Sequence, residues 1–327
     1  MQHIDILSCK LEVMDPKIVH LDLHSYKVAV LSVGKFRAQP ELNEDRWVIT
    51  KDTLAVVDGA TARLPLQYEG KSGGQFAAQI VCEVLASTNP SLNGVELINR
   101  ITVYLNERII SAGSAAVVAK KPEARPAALV GVARIVGREL IITTVGDVSL
   151  RINGVKLLED RLKIDDYVAA KRAKAMMQAQ QKEPAISNAE LLQIGTDAIK
   201  QDLAVQASSY YNNPNHKFGH GTIDGRPVPE KFIKVYTYPL NEVETLEIFS
   251  DGYFKHGNQP TIESWEQSFE EVEREDPLKW QKYLSTKGTN EERFSDDRTI
   301  LIACILPIAP DPCQEYNNKT GTEDVKD

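Results

Sequence analysis

The stretch AALVGVARIVGRELIITTVGDVSLRINGVK, residues 127–156, decides the fold. Residues 127–136 and 139–145 are apolar runs of strand length, separated by two residues, too few for a crossover connection. Arg151-Ile152-Asn153-Gly154-Val155-Lys156 is a hairpin signal, because Asn-Gly supplies the positive φ angles of a two-residue turn. Strands joined this tightly pair antiparallel, whereas a doubly wound parallel sheet needs strand and helix to alternate throughout.

Upstream, residues 27–33, 46–50 and 53–57 read as strands, the last apolar after Thr53 and therefore buried. Ser72 caps a helix in which Phe76, Ile80 and Val84 recur four apart; a second helix follows Asn93, with Ile98, Ile101, Leu105 and Ile109 on one face. Residues 114–119 read as a further strand. From Asp165 to about Ala207 the composition turns to Ala, Lys and Gln, which predicts two helices broken near Glu183-Pro184, followed by a Gly-, Asn- and Pro-rich loop over 212–229. Strands at 232–238 and 245–250, two helices within 261–284 and a closing strand at 298–306 complete the pattern. The expected class is α+β: a sandwich of sheets with helices on its faces. Residues 1–306 are expected to form one domain with an insertion at about 165–229, and the polar tail 307–327 to be disordered.

Composition removes several function classes. The 327 residues are 42% hydrophobic, enough for a large core without disulfides. Lysine plus arginine total 38 against 46 acidic residues, a net charge of −8, which argues against a general nucleic-acid binder. No run of about 18 apolar residues offers a membrane span, and Met1-Gln2-His3-Ile4-Asp5 has neither the basic nor the apolar part of a secretion signal. Cys9, Cys82, Cys304 and Cys313 lie far apart, as reduced thiols of a cytoplasmic protein would; Cys82 and Cys304 stand in apolar runs and read as buried packing residues.

Some motifs are decoys. Gly70-Lys71-Ser72 lacks the glycine a phosphate loop needs five residues earlier, where Pro65 stands. Gly219-His220-Gly221 has its third glycine at Gly225, one residue late for a dinucleotide fingerprint. The pairs His20 with His24 and His216 with His220 fall in non-helical segments and read as surface or loop histidines, and the lysine-rich residues 171–182 read as the solvated face of a helix.

The informative event is an apolar strand that runs out into an aspartate. It recurs at Val57-Asp58-Gly59, Val145-Gly146-Asp147 and Phe249-Ser250-Asp251-Gly252, while Asp296-Asp297 and Asn43-Glu44-Asp45 abut strands from the other side. Carboxylates converging at the mouths of buried strands repel unless a cation neutralises them, and hard oxygen ligands select Mg²⁺ or Mn²⁺ over zinc. A lone Asp-Gly after a strand is ordinarily only a turn; the ordered set carries the signal.

In this order the residues resemble the metal-dependent PP2C-type (PPM) serine/threonine protein phosphatases, over about Val28 to Ile305. Asn43-Glu44-Asp45, Asp58-Gly59, Gly146-Asp147, Ser250-Asp251-Gly252 and Asp296-Asp297-Arg298-Thr299 carry the resemblance. It implies a four-layer α-β-β-α sandwich and hydrolysis of phosphoserine or phosphothreonine on a phosphoprotein, by a water activated at two divalent ions, Mn²⁺ or Mg²⁺. It further implies that Asp58 bridges both metals, that the Gly59 carbonyl completes one site and that Asp251 and Asp296 hold the other metal. Glu44 would bind the first metal, directly or through water, with Asp45 in support, and Asp147 would serve a third, weaker ion; Asp297 stands where the family often has asparagine. The family's phosphate-binding arginine is displaced: Pro40 occupies its place, Arg37 is the nearest substitute and Arg63 another. A binding module without turnover and a phosphatase for a small metabolite remain the alternative readings.

Overall fold

The computed structural model describes residues 18–23, 25–61, 64 and 66–306. The tail 307–327 and the residues Cys9, His24, Arg63 and Cys313 lie outside the described residues.

Two antiparallel sheets stack face to face. One contains β3 (Arg46–Ile49), β4 (Thr53–Gly59), β5 (Ala128–Val136), β6 (Glu139–Val145) and β9 (Lys234–Pro239), in that spatial order. The other runs β1 (Val19–Asp22), β2 (Tyr26–Val33), β11 (Arg298–Ile305), β10 (Thr245–Phe249), β7 (Ser149–Ile152), β8 (Lys156–Leu158). β5 and β6 pair antiparallel in register Val130 with Val145, and the Asn153-Gly154 turn joins β7 to β8, as the decisive stretch predicts.

Side-chain alternation sorts the layers. On β4, Leu54 and Val56 enter the core between the sheets, where they meet Val28, Ile142 and Ile248, while Ala55 and Val57 face the opposite way. A strand buried on both faces has no polar face to show, which is why β4 reads as a continuous apolar run. On its outer side lie α1 (Gly73–Ser87) and α2 (Gly94–Ser111), which bury Phe76, Ile80, Ile98 and Ile101. On the outer face of the other sheet lies α7 (Ile262–Glu275), with Trp265 and Phe269 against Leu31 and Ile300. The result is helix, sheet, sheet, helix.

The insertion forms α4 (Lys163–Lys182) and α5 (Asn188–Ala204), broken at Glu183-Pro184 as expected, then the short α6 (Gln206–Ser209). α4 is more than a solvated face: Val168, Arg172 and Met176 form a buried stripe. Three expectations need correction. Residues 114–119 belong to a helix, α3 (Ala115–Lys120), which buries Val118 and leaves Val117 exposed, so the pair of valines packs only once. Only one helix lies within 261–284. Beyond it the Asp276 carboxylate accepts the backbone N–H groups of Trp280, Gln281, Lys282 and Tyr283 at 3.2, 3.0, 2.9 and 3.0 Å, coiling the chain into a loop instead of a second helix. Cys304 is exposed, because the alternation on β11 turns its neighbour Ala303 inward.

A buried polar cluster ties α7 to its sheet. Glu247 on β10 is fully buried; it accepts a two-pronged ion pair from Arg151 on β7 and a hydrogen bond from the Trp265 indole at 2.8 Å. Removing one member strands the others without water. Glu247→Ala is expected to cost about 3–5 kcal/mol of unfolding free energy by denaturant titration; a loss below about 1 kcal/mol would show the pair to be replaceable.

Candidate metal centre

The aspartates singled out above come to one place. Asp58 is next to last in β4, Asp147 follows β6, Asp251 follows β10 and Asp296 precedes β11. All four, with Gly59, line a cleft of about 250 Å³ at the ends of the two sheets. Backbone approach makes this possible at Gly252, where a Cβ would stand 2.1 Å from the Asp297 carbonyl oxygen. Only glycine lets the chain leaving β10 pass so close to the chain entering β11, and that passage sets Asp251 beside Asp296.

Hydrogen bonds fix the frame behind the cleft. The Ser250 hydroxyl donates to Asp45 Oδ2 at 2.7 Å and accepts from the Thr299 amide at 2.9 Å. The Asn43 side chain donates to Ser32 Oγ at 2.9 Å and accepts from the Asp45 amide at 2.9 Å, while the Ser32 and Thr299 hydroxyls bond at 2.7 Å. Asn43, Ser250 and Thr299 thus lock three chain segments together. Ser72 caps α1 by accepting from Gln75 N, and its hydroxyl also donates to Glu44 Oε1 at 2.6 Å.

Glu44, Asp45 and Asp297 stand behind the cleft and do not line it. Lys35, absent from the sequence reading, explains two of these positions. Its ammonium, almost fully buried, donates to Glu44 Oε2 at 2.9 Å, Asp297 Oδ2 at 2.8 Å and Thr61 Oγ1 at 3.2 Å, and stands 3.8 Å from Asp296 Oδ1. Glu44, expected to face a metal, therefore has both oxygens engaged by Lys35, Thr61 and Ser72. The aspartate in the place of the family's asparagine is the second partner of this lysine. Arg37 also lies away from the cleft, exposed, with its guanidinium 3.8 Å above the Phe294 ring. The cleft-lining cation that touches the aspartates is Lys287, whose ammonium is 2.6 Å from Asp296 Oδ2. His220, read as a loop histidine, is buried in the cleft wall with Nδ1 on the Phe218 carbonyl. The sequence offered one cue for Lys35, its place directly after β2 in Gly34-Lys35-Phe36-Arg37, and none for Lys287.

The charges divide into two groups. Burial and then the charge of Lys35 oppose one another at Glu44, whose carboxyl ends below its usual range. At Asp296 burial pushes upward, but Lys287 and Lys35 more than offset it and hold the group low. The others rise. Burial and then Asp45 push Asp58 well up, and burial and then Asp251 do the same to Asp147. Burial and then Asp297 raise Asp45 to about 8, and lost hydration and then Asp296 raise Asp251 to about 7, although solvent still reaches the Asp251 side chain.

These residues suit a hard divalent cation. The four aspartates offer oxygen ligands, like charges are crowded together, and Asp147 Oδ1 is buried without a hydrogen-bond partner. Among the described residues no group of three or more His, Cys, Asp or Glu side chains is preassembled in metal-holding geometry, so an ion would have to draw the carboxylates inward.

No protein-family model matches the sequence, and no curated protein matches it. Solved structures with a similar path include the serine/threonine phosphatase Stp1 from Staphylococcus aureus, with 15% identity and a TM-score of 0.46 over 88% of this chain and 99% of that one. The Mycobacterium tuberculosis serine/threonine phosphatase PstP/Ppp shares 17% identity with a TM-score of 0.43 over 86% of this chain and 100% of that one. RsbX in complex with magnesium shares 12% with a TM-score of 0.42 over 89% of this chain and 100% of that one.

The raised carboxyls make a signed prediction for chelator-treated protein. A group that binds its proton more tightly folded than unfolded stabilises the fold fully below its unfolded pKa, and that stability is lost as pH rises toward the folded value. For Asp45 and Asp251 the window runs from the ordinary 3.8 to about 8 and about 7. Glu44 and Asp296, held low, contribute stability that is present above about pH 4 and so cannot reverse the trend there. The melting temperature should fall between about pH 5 and pH 8, and Asp58→Asn should raise it at the upper end. A flat profile with an unshifted mutant would show that the carboxylates do not strain one another.

Proposed function

We propose that this chain is a metal-dependent phosphomonoesterase of the PP2C type, acting on phosphoserine or phosphothreonine in proteins. One observation carries the reading: Asp58, Asp147, Asp251 and Asp296, from four separate strand ends and matching the family's motifs in order, line a single cleft. A fold needs no such convergence for its own stability, since each added carboxylate raises the cost of the others.

In this reading Asp58, the Gly59 carbonyl, Asp251 and Asp296 would hold two divalent ions, Mn²⁺ or Mg²⁺, and Asp147 would help to hold a third. When bound, such ions supply Lewis acidity and neutralise charge that builds on a phosphoryl group under attack. The chain's own contribution is placement. β4, β10 and β11 are interior strands; Asp58 sits on the first, and Asp251 and Asp296 stand two residues from the ends of the other two, so rigid elements place them. Ser250, Asn43 and Thr299 hold Asp45 behind them. Lys35 neutralises Glu44 and Asp297 and Lys287 pairs with Asp296, which leaves Asp58, Asp147 and Asp251 as the crowded carboxyls for a cation to neutralise. The insertion supplies one wall of the cleft through Asp165 and Ala169.

The test is hydrolysis of an aryl phosphate with Mn²⁺, with Mg²⁺ and with chelator, wild type against Asp251→Asn. Metal-dependent turnover that drops about 100-fold or more in the variant is expected. Folded protein that hydrolyses neither the aryl phosphate nor a phosphopeptide with either metal would refute the reading.

A further inference from the structure

A phosphate monoester entering this cleft meets a wall of carboxylates, so the site needs a cation of its own to receive it. Arg161 and Lys287 are the cleft-lining cations among the described residues. The Arg161 side chain is 67% exposed and pairs with Asp166 at 3.4 Å. Lys35 is sealed behind the cleft, and Arg37 lies on Phe294. Lys287 alone both lines the cleft and touches the aspartate cluster, with 24% of its side chain still exposed. An ammonium carries three donors, and one bond to Asp296 leaves others to face an incoming anion.

Lys287 is held in place by the insertion. Arg172, from the buried stripe of α4, donates to the carbonyls of Leu278, Lys279 and Ser285 at 3.0, 3.1 and 3.2 Å. Leu278 and Trp280 pack with Met176 and Leu191 of the insertion. At Gly288 a Cβ would lie 2.6 Å from the Leu278 carbonyl and 2.9 Å from the Arg172 guanidinium, so only glycine lets the loop close this tightly beside its lysine. The loop and the insertion form one packed unit, with Lys287 at its tip over Asp296.

From this geometry we infer that Lys287 is the substrate-phosphate receptor of the cleft, doing the work that the displaced arginine leaves open, and that Arg172 is its positioning residue. The inference rests on the hydrolase reading for the identity of the anion and adds the residue that recognises it. It also assigns the insertion a role in substrate binding.

The experiment is calorimetric titration of inorganic phosphate into Mg²⁺-loaded full-length protein, comparing wild type, Lys287→Met and Lys287→Arg, with Mg²⁺ affinity and melting temperature measured for each. Lys287→Met should weaken phosphate binding about tenfold or more, Lys287→Arg should stay within about threefold, and Mg²⁺ affinity should not fall in either. Arg172→Lys should weaken phosphate binding in the same direction with Lys287 intact. Wild type that binds no phosphate, or Lys287→Met that binds it as wild type does, overturns the inference. A variant in which only Mg²⁺ affinity changes does so as well, since Lys287 would then be a mere counter-charge for Asp296. The two readings separate cleanly. Turnover with unchanged phosphate affinity in Lys287→Met removes this inference and leaves the hydrolase. Lys287-dependent phosphate binding without turnover removes the hydrolase and leaves the receptor.

Discussion

The ammonium of Lys35 sits where almost no water reaches, between Glu44 and Asp297 and within 3.8 Å of Asp296, and the rest of the site depends on it. Taking one such ion out of water costs roughly several kcal/mol, which the pairing regains only when the geometry is good and every donor and acceptor is used. Here it is used closely. The Lys35 backbone amide also bonds Asp297 Oδ1 at 2.7 Å, so the same residue fixes the carboxylate from main chain and side chain. Without Lys35 the carboxylates of Glu44 and Asp297 would crowd the other aspartates with no fixed counter-charge. With it, the excess negative charge is confined to the wall that faces the cleft.

This arrangement follows from the antiparallel sandwich. Adjacent antiparallel strands point opposite ways, so the end of β4, the end of β10 and the start of β11 can lie at one end of the stack. Their side chains leave the inter-sheet core of Val56, Ile248 and Leu301 and turn polar within a few residues. The core fixes the carboxylate positions; Gly252 and the Ser250 hydroxyl then close the last few ångströms. Fold stability and site assembly oppose each other here. The burial that makes the strands rigid also raises the carboxyl groups of Asp58 and Asp147.

What the sequence made legible follows the same physics. Local signals that depend on one segment were readable: the Asn153-Gly154 turn, the Ser72 cap, the unbroken apolar run of β4, and aspartates where strands stop. Residues whose role depends on what the fold brings to them were not. Lys35 and Lys287 become meaningful only beside Asp297 and Asp296, in segments far from motif positions or bare of periodicity. Val117-Val118 has strand composition, but only Val118 is buried, in the cluster that α1 and α2 also line, and a helix needs no more than that one apolar position. The second helix expected near 276–284 lost to a local competitor, the Asp276 carboxylate gathering four amides.

The insertion also changes meaning in the structure. Its lysine-rich sequence describes its outer face, while its inner face carries Arg172, a guanidinium buried to supply three carbonyls of a loop that has no regular hydrogen-bond ladder of its own. An irregular loop at a cleft is mobile by default, because few backbone bonds hold it. Anchoring it to two helices restrains its tip without a strand or disulfide. The same anchoring joins α4 and α5 to the loop that carries Lys287 through packed side chains of Met176, Leu191, Leu278 and Trp280.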